Sequence, residues 1–281
     1  MPEWTEVPAG IIDGATKRFW PAIGDQADVV AKRINNDPAY LGRVAQFAID
    51  GSVQQVMPVS NDLARLVPTP AHMIADTRGL LVGEHGFKAE HFDTLTVPRL
   101  PAGNFPLVVP VAYLETLEAT VRFYWQICRQ RYSVSWLWPD LKLGKNSLRV
   151  WSPDGKKSEW PAGTVRMVGL DLLAHYDHKA GTSVEGNRAK EAVAMPGVEI
   201  LALMALAPAL GQALDGGVAN GGVMPWLDLP GLEANVSGYD AWSFAPFVSF
   251  DRDDRRLQLS GKHVGPRRRN YASPAFRECK G

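Results

Sequence analysis

Two histidines and two aspartates fall within eight residues of the stretch DLLAHYDHKAG, Asp171–Gly181, in a 281-residue chain with six histidines in all. His175, Asp177 and His178 are residue types that ligate zinc or iron, or that trade protons near neutral pH. The element that carries them decides what they can do. On a strand, His175 and Asp177 point to one side and His178 lies past the turn. On a helix, His175 and His178 share a face one turn apart and can ligate together. A catalytic zinc also needs a third protein ligand and groups that orient the ligands. The chain has no HExxH, no HxxEH and no cysteine pair, so a third ligand has to come from a distant loop. GEHGFKAEHFD, with His85 and His91, is such a loop. The plainer alternative is a polar strand end running into the loop HKAGTSVEGN.

A second stretch, GKHVGPRRRNYASPAF, offers electrostatics instead. Lys262, Arg267, Arg268 and Arg269 are clustered, and Tyr271 follows directly. Phosphate backbones reward clustered guanidinium groups, and an adjacent aromatic ring can stack a base. The whole chain is neutral, with 30 basic and 30 acidic residues, but this hides an asymmetry. From Arg252 to Gly281 nine basic residues face three acidic ones, whereas the rest of the chain has 21 basic against 27 acidic. A basic end on an acidic body binds a polyanion or balances its own body.

Other chemistries lack their signatures. There is no GxSxG elbow, no GxxxxGK[ST] loop and no GxGxxG after a strand. DGGVANGG follows a helical pattern rather than preceding one, so its amides cannot form the positive end of a dipole. Cys128 and Cys279 are far apart, which fits reduced thiols in a cytosol, and Cys128 falls on the apolar stripe of a helix. Of nine tryptophans, Trp125, Trp136, Trp138, Trp151 and Trp160 are close together in the chain. They either present an aromatic face to a ligand or fill a core where helix meets sheet.

The elements that must position these residues can be read in outline. Asp25–Gly51 reads as two short helices joined at NNDP, with Asp37 as N-cap and Pro38 as first helical residue. From Val53 to Pro110 the chain is rich in turn residues, and LVVPVAYL enters the core. Tyr113–Tyr132 has a helical stripe through Leu114, Leu117, Val121 and Cys128, with Glu115 and Glu118 early and Arg129 and Arg131 late. SVSWLWPDLKLGKNSLRVWSPDGKKSEW then alternates with period two, which predicts a hairpin or meander. TVRMVGLDLLAHYD reads as a strand and PGVEILALMALAPALGQALDGG as a helix. VMPWLDLPGLEANV is further strand, and AWSFAPFVSFDRDDRRLQLSG is a hairpin turning at DRDD. A seam is expected near residues 100–111.

The segments PGVEILALMALAPALGQALDG, MPWLDLPGLEANV, FVSFDRDDRRLQLSG and NYASPAFRE resemble uncharacterised hypothetical proteins of candidate-phyla (ultrasmall) bacteria. VVAKRINNDPAYLGRVAQFAI resembles an N-terminal module of such proteins. The resemblance covers about half the chain and implies a bacterial cytoplasmic protein, with a helical N-terminal module and a β-rich C-terminal part. It implies no activity.

The sequence therefore predicts an α+β fold, with a helical and loop-rich module over 1–110 and a mixed helix and mostly antiparallel sheet domain over 111–281. MPEWTEVPAG has no basic or apolar leader pattern, and the most apolar run is broken by Glu199 and Pro208, so neither a secretory signal nor a membrane span is expected. The first functional expectation is a non-catalytic cytoplasmic binding or scaffold protein with a protein partner and no cofactor. The second is nucleic-acid binding through Lys262, Arg267, Arg268, Arg269 and Tyr271. The third is a metal-dependent hydrolase centred on His175, Asp177 and His178.

Overall fold

The computed structural model describes residues 61–155, 159–191 and 193–277. The helical hairpin expected over Asp25–Gly51 lies outside them, as does Cys279. The described chain is α+β, with helices against one large curled mixed sheet. Its helices are α1 (Asn61–Ala64), α2 (Pro70–Leu81), α3 (Glu90–Asp93), α4 (Leu117–Arg131), α5 (Val184–Arg188), α6 (Val198–Leu206) and α7 (Pro208–Gly211), with a 3₁₀ turn at Gly217–Asn220. The strands are β1 (Pro106–Tyr113), β2 (Val134–Leu137), β3 (Leu148–Val150), β4 (Thr164–Tyr176), β5 (Trp226–Asp228), β6 (Leu232–Ala234), β7 (Phe244–Asp251), β8 (Arg256–His263) and β9 (Tyr271–Arg277).

The sheet runs β1-β4-β9-β5-β7, continues through β8 to β2, and branches from β7 through β6 to β3. All pairs are antiparallel except β2 with β8 and β5 with β9. Directly opposed residues share a sheet face. The register therefore lines up Leu259, Val248, Leu227 and Ala272 across four strands, all buried. That row is the apolar face. The next positions along the same strands are Gln258, Ser249, Phe247, Asp228, Tyr271 and Ser273, which belong to the other face.

Two helices build the core. Thr116 caps α4, its hydroxyl accepting from Ala119 N at 3.1 Å. The helix starts at Leu117 rather than at the expected Tyr113, because PLVVPVAY is already committed to β1. The run from Leu107 to Tyr113 is wholly buried, and a strand buried on both faces has no alternation to announce it. Every residue of α6 is buried, and the helix packs against α4 and β1. Pro208 ends it where the i−4 carbonyl would clash, and α7 begins there.

The hairpin at DRDD forms as β7 and β8, joined through residues 252–255. The meander expected after α4 does not form. β2 pairs in parallel with β8, and β3 pairs with β6, so both strands find partners far along the chain instead of each other. β1 crosses the position at which the sequence places a seam, and α2 packs on it. The tryptophans disperse: Trp160 donates Nε1–H to Leu114 O at 2.8 Å, Trp138 packs on Phe244, and Trp136 lies beneath Arg256. Among the described residues no helix is long and apolar enough to cross a membrane.

Candidate functional site

β4 is a strand to Tyr176, and its last residues pair with the start of β9: His175 lies opposite Ser273 and Tyr176 opposite Ala272. Beyond them the turn at Asp177–Gly181 leads to Thr182, which exchanges two backbone hydrogen bonds with Arg268 (Thr182 N to Arg268 O, 3.0 Å; Arg268 N to Thr182 O, 2.9 Å). Gly181 lets this approach happen, since a Cβ there would stand 3.0 Å from the Arg268 carbonyl carbon. The two stretches singled out in the sequence, distant in the chain, are thus one region of the surface.

Within that region the three acid–base candidates do not share a centre. His175 Nε2 sits 2.6 Å from Glu191 Oε1. Asp177 Oδ1 accepts from Ala180 N and Lys179 N, both at 2.9 Å, and these amides hold its carboxyl below the usual range. The Asp177 carboxylate is thereby occupied with its own turn. The His178 ring lies against Tyr176. His85 packs edge-on to Phe123, and His91 Nδ1 accepts from Lys88 N at 3.2 Å. Among the described residues no three His, Cys, Asp or Glu side chains converge as a metal site would require.

The basic stretch divides in two. Lys262 and Tyr271, read from the sequence as surface contacts, are buried instead. The Lys262 side chain is 4 % exposed and its Nζ lies 2.8 Å from Oδ1 of Asp228, which is 1 % exposed. The same ammonium stands 3.5 Å from the centre of the Tyr271 ring. Lys262 shares the sheet face of Gln258 because the two are four residues apart on β8, and that face is covered here by α5 and its flanks. Burial pushes the Asp228 carboxyl up and the Lys262 ammonium down, and each charge partly restores the other.

A chain of polar side chains ties the cover to the sheet. Ser273 Oγ donates to Asp228 Oδ2 at 2.8 Å, and Asn187 Nδ2 donates to Ser273 Oγ at 2.9 Å and also to Thr182 Oγ1. Arg188 bonds Pro230 O and Leu232 O, both at 2.8 Å, and burial lowers its guanidinium to about 10. Asp228, Ser273, Asn187 and Arg188 went unnoticed in the sequence. The parity of Lys262 against Leu257 and Leu259 puts it on the face opposite the apolar one, which reads as solvent-facing, and nothing local announces the cover that buries it.

Arg267, Arg268 and Arg269 are exposed, as are His178 and Lys179 on the neighbouring turn. None of the three arginines has a carboxylate partner among the described residues, although Glu185 borders the loop near Gly265. Compared with known proteins, the chain matches no family model, no curated protein and no solved structure.

Proposed function

We propose that the protein is a non-catalytic binding protein that takes nucleic acid through Arg267, Arg268 and Arg269. The observation that carries this reading is the exposure of three consecutive guanidinium groups, without an acidic partner among the described residues, on a loop whose backbone is fixed. The Thr182–Arg268 pairing holds one side and β9 begins two residues after Arg269, so little loop entropy is lost when a ligand binds. Lys179 extends the positive surface. Tyr271 is removed from the contact by its burial, which leaves phosphate contacts rather than base stacking as the source of affinity. The non-catalytic reading is supported by the burial of the Lys262–Asp228–Ser273 cluster, where a hydroxyl, a carboxylate and an amine meet out of reach of a substrate.

The test is binding of labelled single- and double-stranded oligonucleotides by the full chain and by Arg267→Ala/Arg268→Ala/Arg269→Ala. The variant is expected to lose most of the affinity while unfolding at the wild-type temperature, since its changed side chains are solvent-exposed. Equal affinity of the two proteins, or no binding by either, overturns the reading.

A further inference from the structure

The uncovered part of the same sheet face forms a second, chemically different feature. Trp226 stands two residues before Asp228 on β5, and Asp228 is opposite Phe247 on β7. Phe247, Ser249 and Asp251 alternate along β7, and Ser249 is opposite Gln258 on β8. The register therefore places Trp226, Phe247, Ser249, Asp251 and Gln258 on one face. They line a concave, open cavity of 340 Å³, with Asp215 and Arg252 at its side. A second hollow of 290 Å³ shares Phe250 and Arg252 with it. Both volumes are near the lower end of small-molecule sites, about 300–1,000 Å³.

The lining narrows the ligand. The Trp226 and Phe247 rings are within 23° of parallel, with centres 6.4 Å apart, and Tyr271 meets both edge-on. Trp226 Nε1–H is buried and has no acceptor among the described residues, so it does not open on the cavity, and what the indole offers there is its ring. Asp251 is held in place by Gln258 Nε2 and Arg256 Nη2, both at 3.2 Å. Asp215, Asp251 and Asp253 outnumber Arg252 in the lining, and Arg252 is bonded to Asp215. That excess of carboxylate disfavours an anion. An aromatic wall for C–H groups, with carboxylate and amide groups for hydroxyls, suits a neutral hydroxylated ring.

We propose that this cavity is a binding site for a neutral saccharide of one or two rings. The proposal is independent of the arginine loop, which lies beyond the covered half of the sheet face and carries the opposite charge.

The experiment presents D-glucose, D-galactose, D-mannose and N-acetyl-D-glucosamine to the full chain at about 10 mM, enough to fill a site of millimolar Kd. Saturation-transfer NMR and tryptophan emission report occupancy. D-glucuronate and adenosine serve as the charged and stacking competitors. At least one neutral sugar is expected to bind saturably. Trp226→Ala, which removes the aromatic wall, and Gln258→Ala are each expected to weaken it about tenfold, the effect of about 1.4 kcal/mol. Arg267→Ala/Arg268→Ala/Arg269→Ala should bind it as wild type does. The proposal is overturned if no neutral sugar binds, if glucuronate or adenosine binds more tightly than every sugar, or if both site variants bind like wild type.

Discussion

Lys262 shows how one buried charge can bind a structure together without serving a ligand. Its ammonium and the Asp228 carboxylate are both removed from water, so each is tolerable only beside the other. Lys262→Met leaves Asp228 unpaired and is expected to cost about 3–5 kcal/mol, read as a lower urea midpoint. Asp228→Asn on top of it should recover part of that loss, since Asn still accepts from Ser273; a double variant no more stable than the single would sink the pairing argument. Glu199 is a different case. It accepts from Tyr113 Oη at 2.8 Å and from Gly197 N at 2.7 Å, and burial nevertheless raises its carboxyl. A folded value above the unfolded one, about 4.3, means that the fold favours the protonated acid. Stability from this group is full below about 4.3 and declines as pH rises through the folded value. Glu199→Gln should flatten that decline in urea midpoints measured against pH; an unchanged profile counts against it. Neither residue was legible as buried. Glu199 sits in a run so apolar that it reads as an interruption, and Lys262 sits in a basic stretch that reads as surface.

At the scale of elements, legibility followed the range of the interaction. The β7–β8 hairpin was readable because its alternation and its turn chemistry at Arg252–Arg255 are local. β4 was readable from its length and β-branched content. β2 and β3 were not, because the partners that decide their pairing, β8 and β6, are more than eighty residues away. The loop before β1 is a comparable case: its proline-rich composition says nothing of Asp171, which fastens that loop to two strands. Its carboxylate accepts from Phe105 N at 2.8 Å and Asn104 N at 3.0 Å, and Arg277 Nη2 reaches it at 2.5 Å. Gly103 is required beside it, since a Cβ would fall 2.6 Å from Oδ2. Burial alone would raise the Asp171 carboxyl, but Arg277 and the two amides overcome this and hold it below the usual range. The stabilisation is present above the unfolded value, about 3.9, and is lost as pH falls through the lower folded value. Asp171→Asn is expected to cost about 1–3 kcal/mol at neutral pH and to make stability less sensitive to acid below about pH 4. Equal acid sensitivity in the variant would show that the carboxylate is not what holds the loop.

For the molecule as a whole, the fold takes up part of the charge of the basic C-terminal segment. Arg252 pairs with Asp215, Arg256 with Asp251 and Asp254, Lys262 with Asp228, and Arg277 with Asp171. Sequence counting found the excess charge but could not say which cations the acidic body would take up, because every one of these partners except Asp251 and Asp254 is distant in the chain. Among the described residues of the segment, the exposed cations without a carboxylate partner are Arg255, on the β7–β8 turn, and Arg267–Arg269, so the usable charge is smaller than the local excess of six basic residues implies and is densest before β9. This sets a quantitative expectation for the nucleic-acid reading. Each phosphate neutralised on duplex DNA adds about −0.9 to the slope of log affinity against log salt. If all three arginines contact phosphate, replacing them with alanine should reduce the magnitude of that slope by about three. Arg252→Gln should leave it unchanged, because that guanidinium already serves Asp215. Fluorescence anisotropy titrations across a salt series decide between the two charge inventories. A slope that falls with Arg252→Gln and not with the triple substitution would mean that the hairpin end of the sheet, not the loop before β9, meets the phosphates.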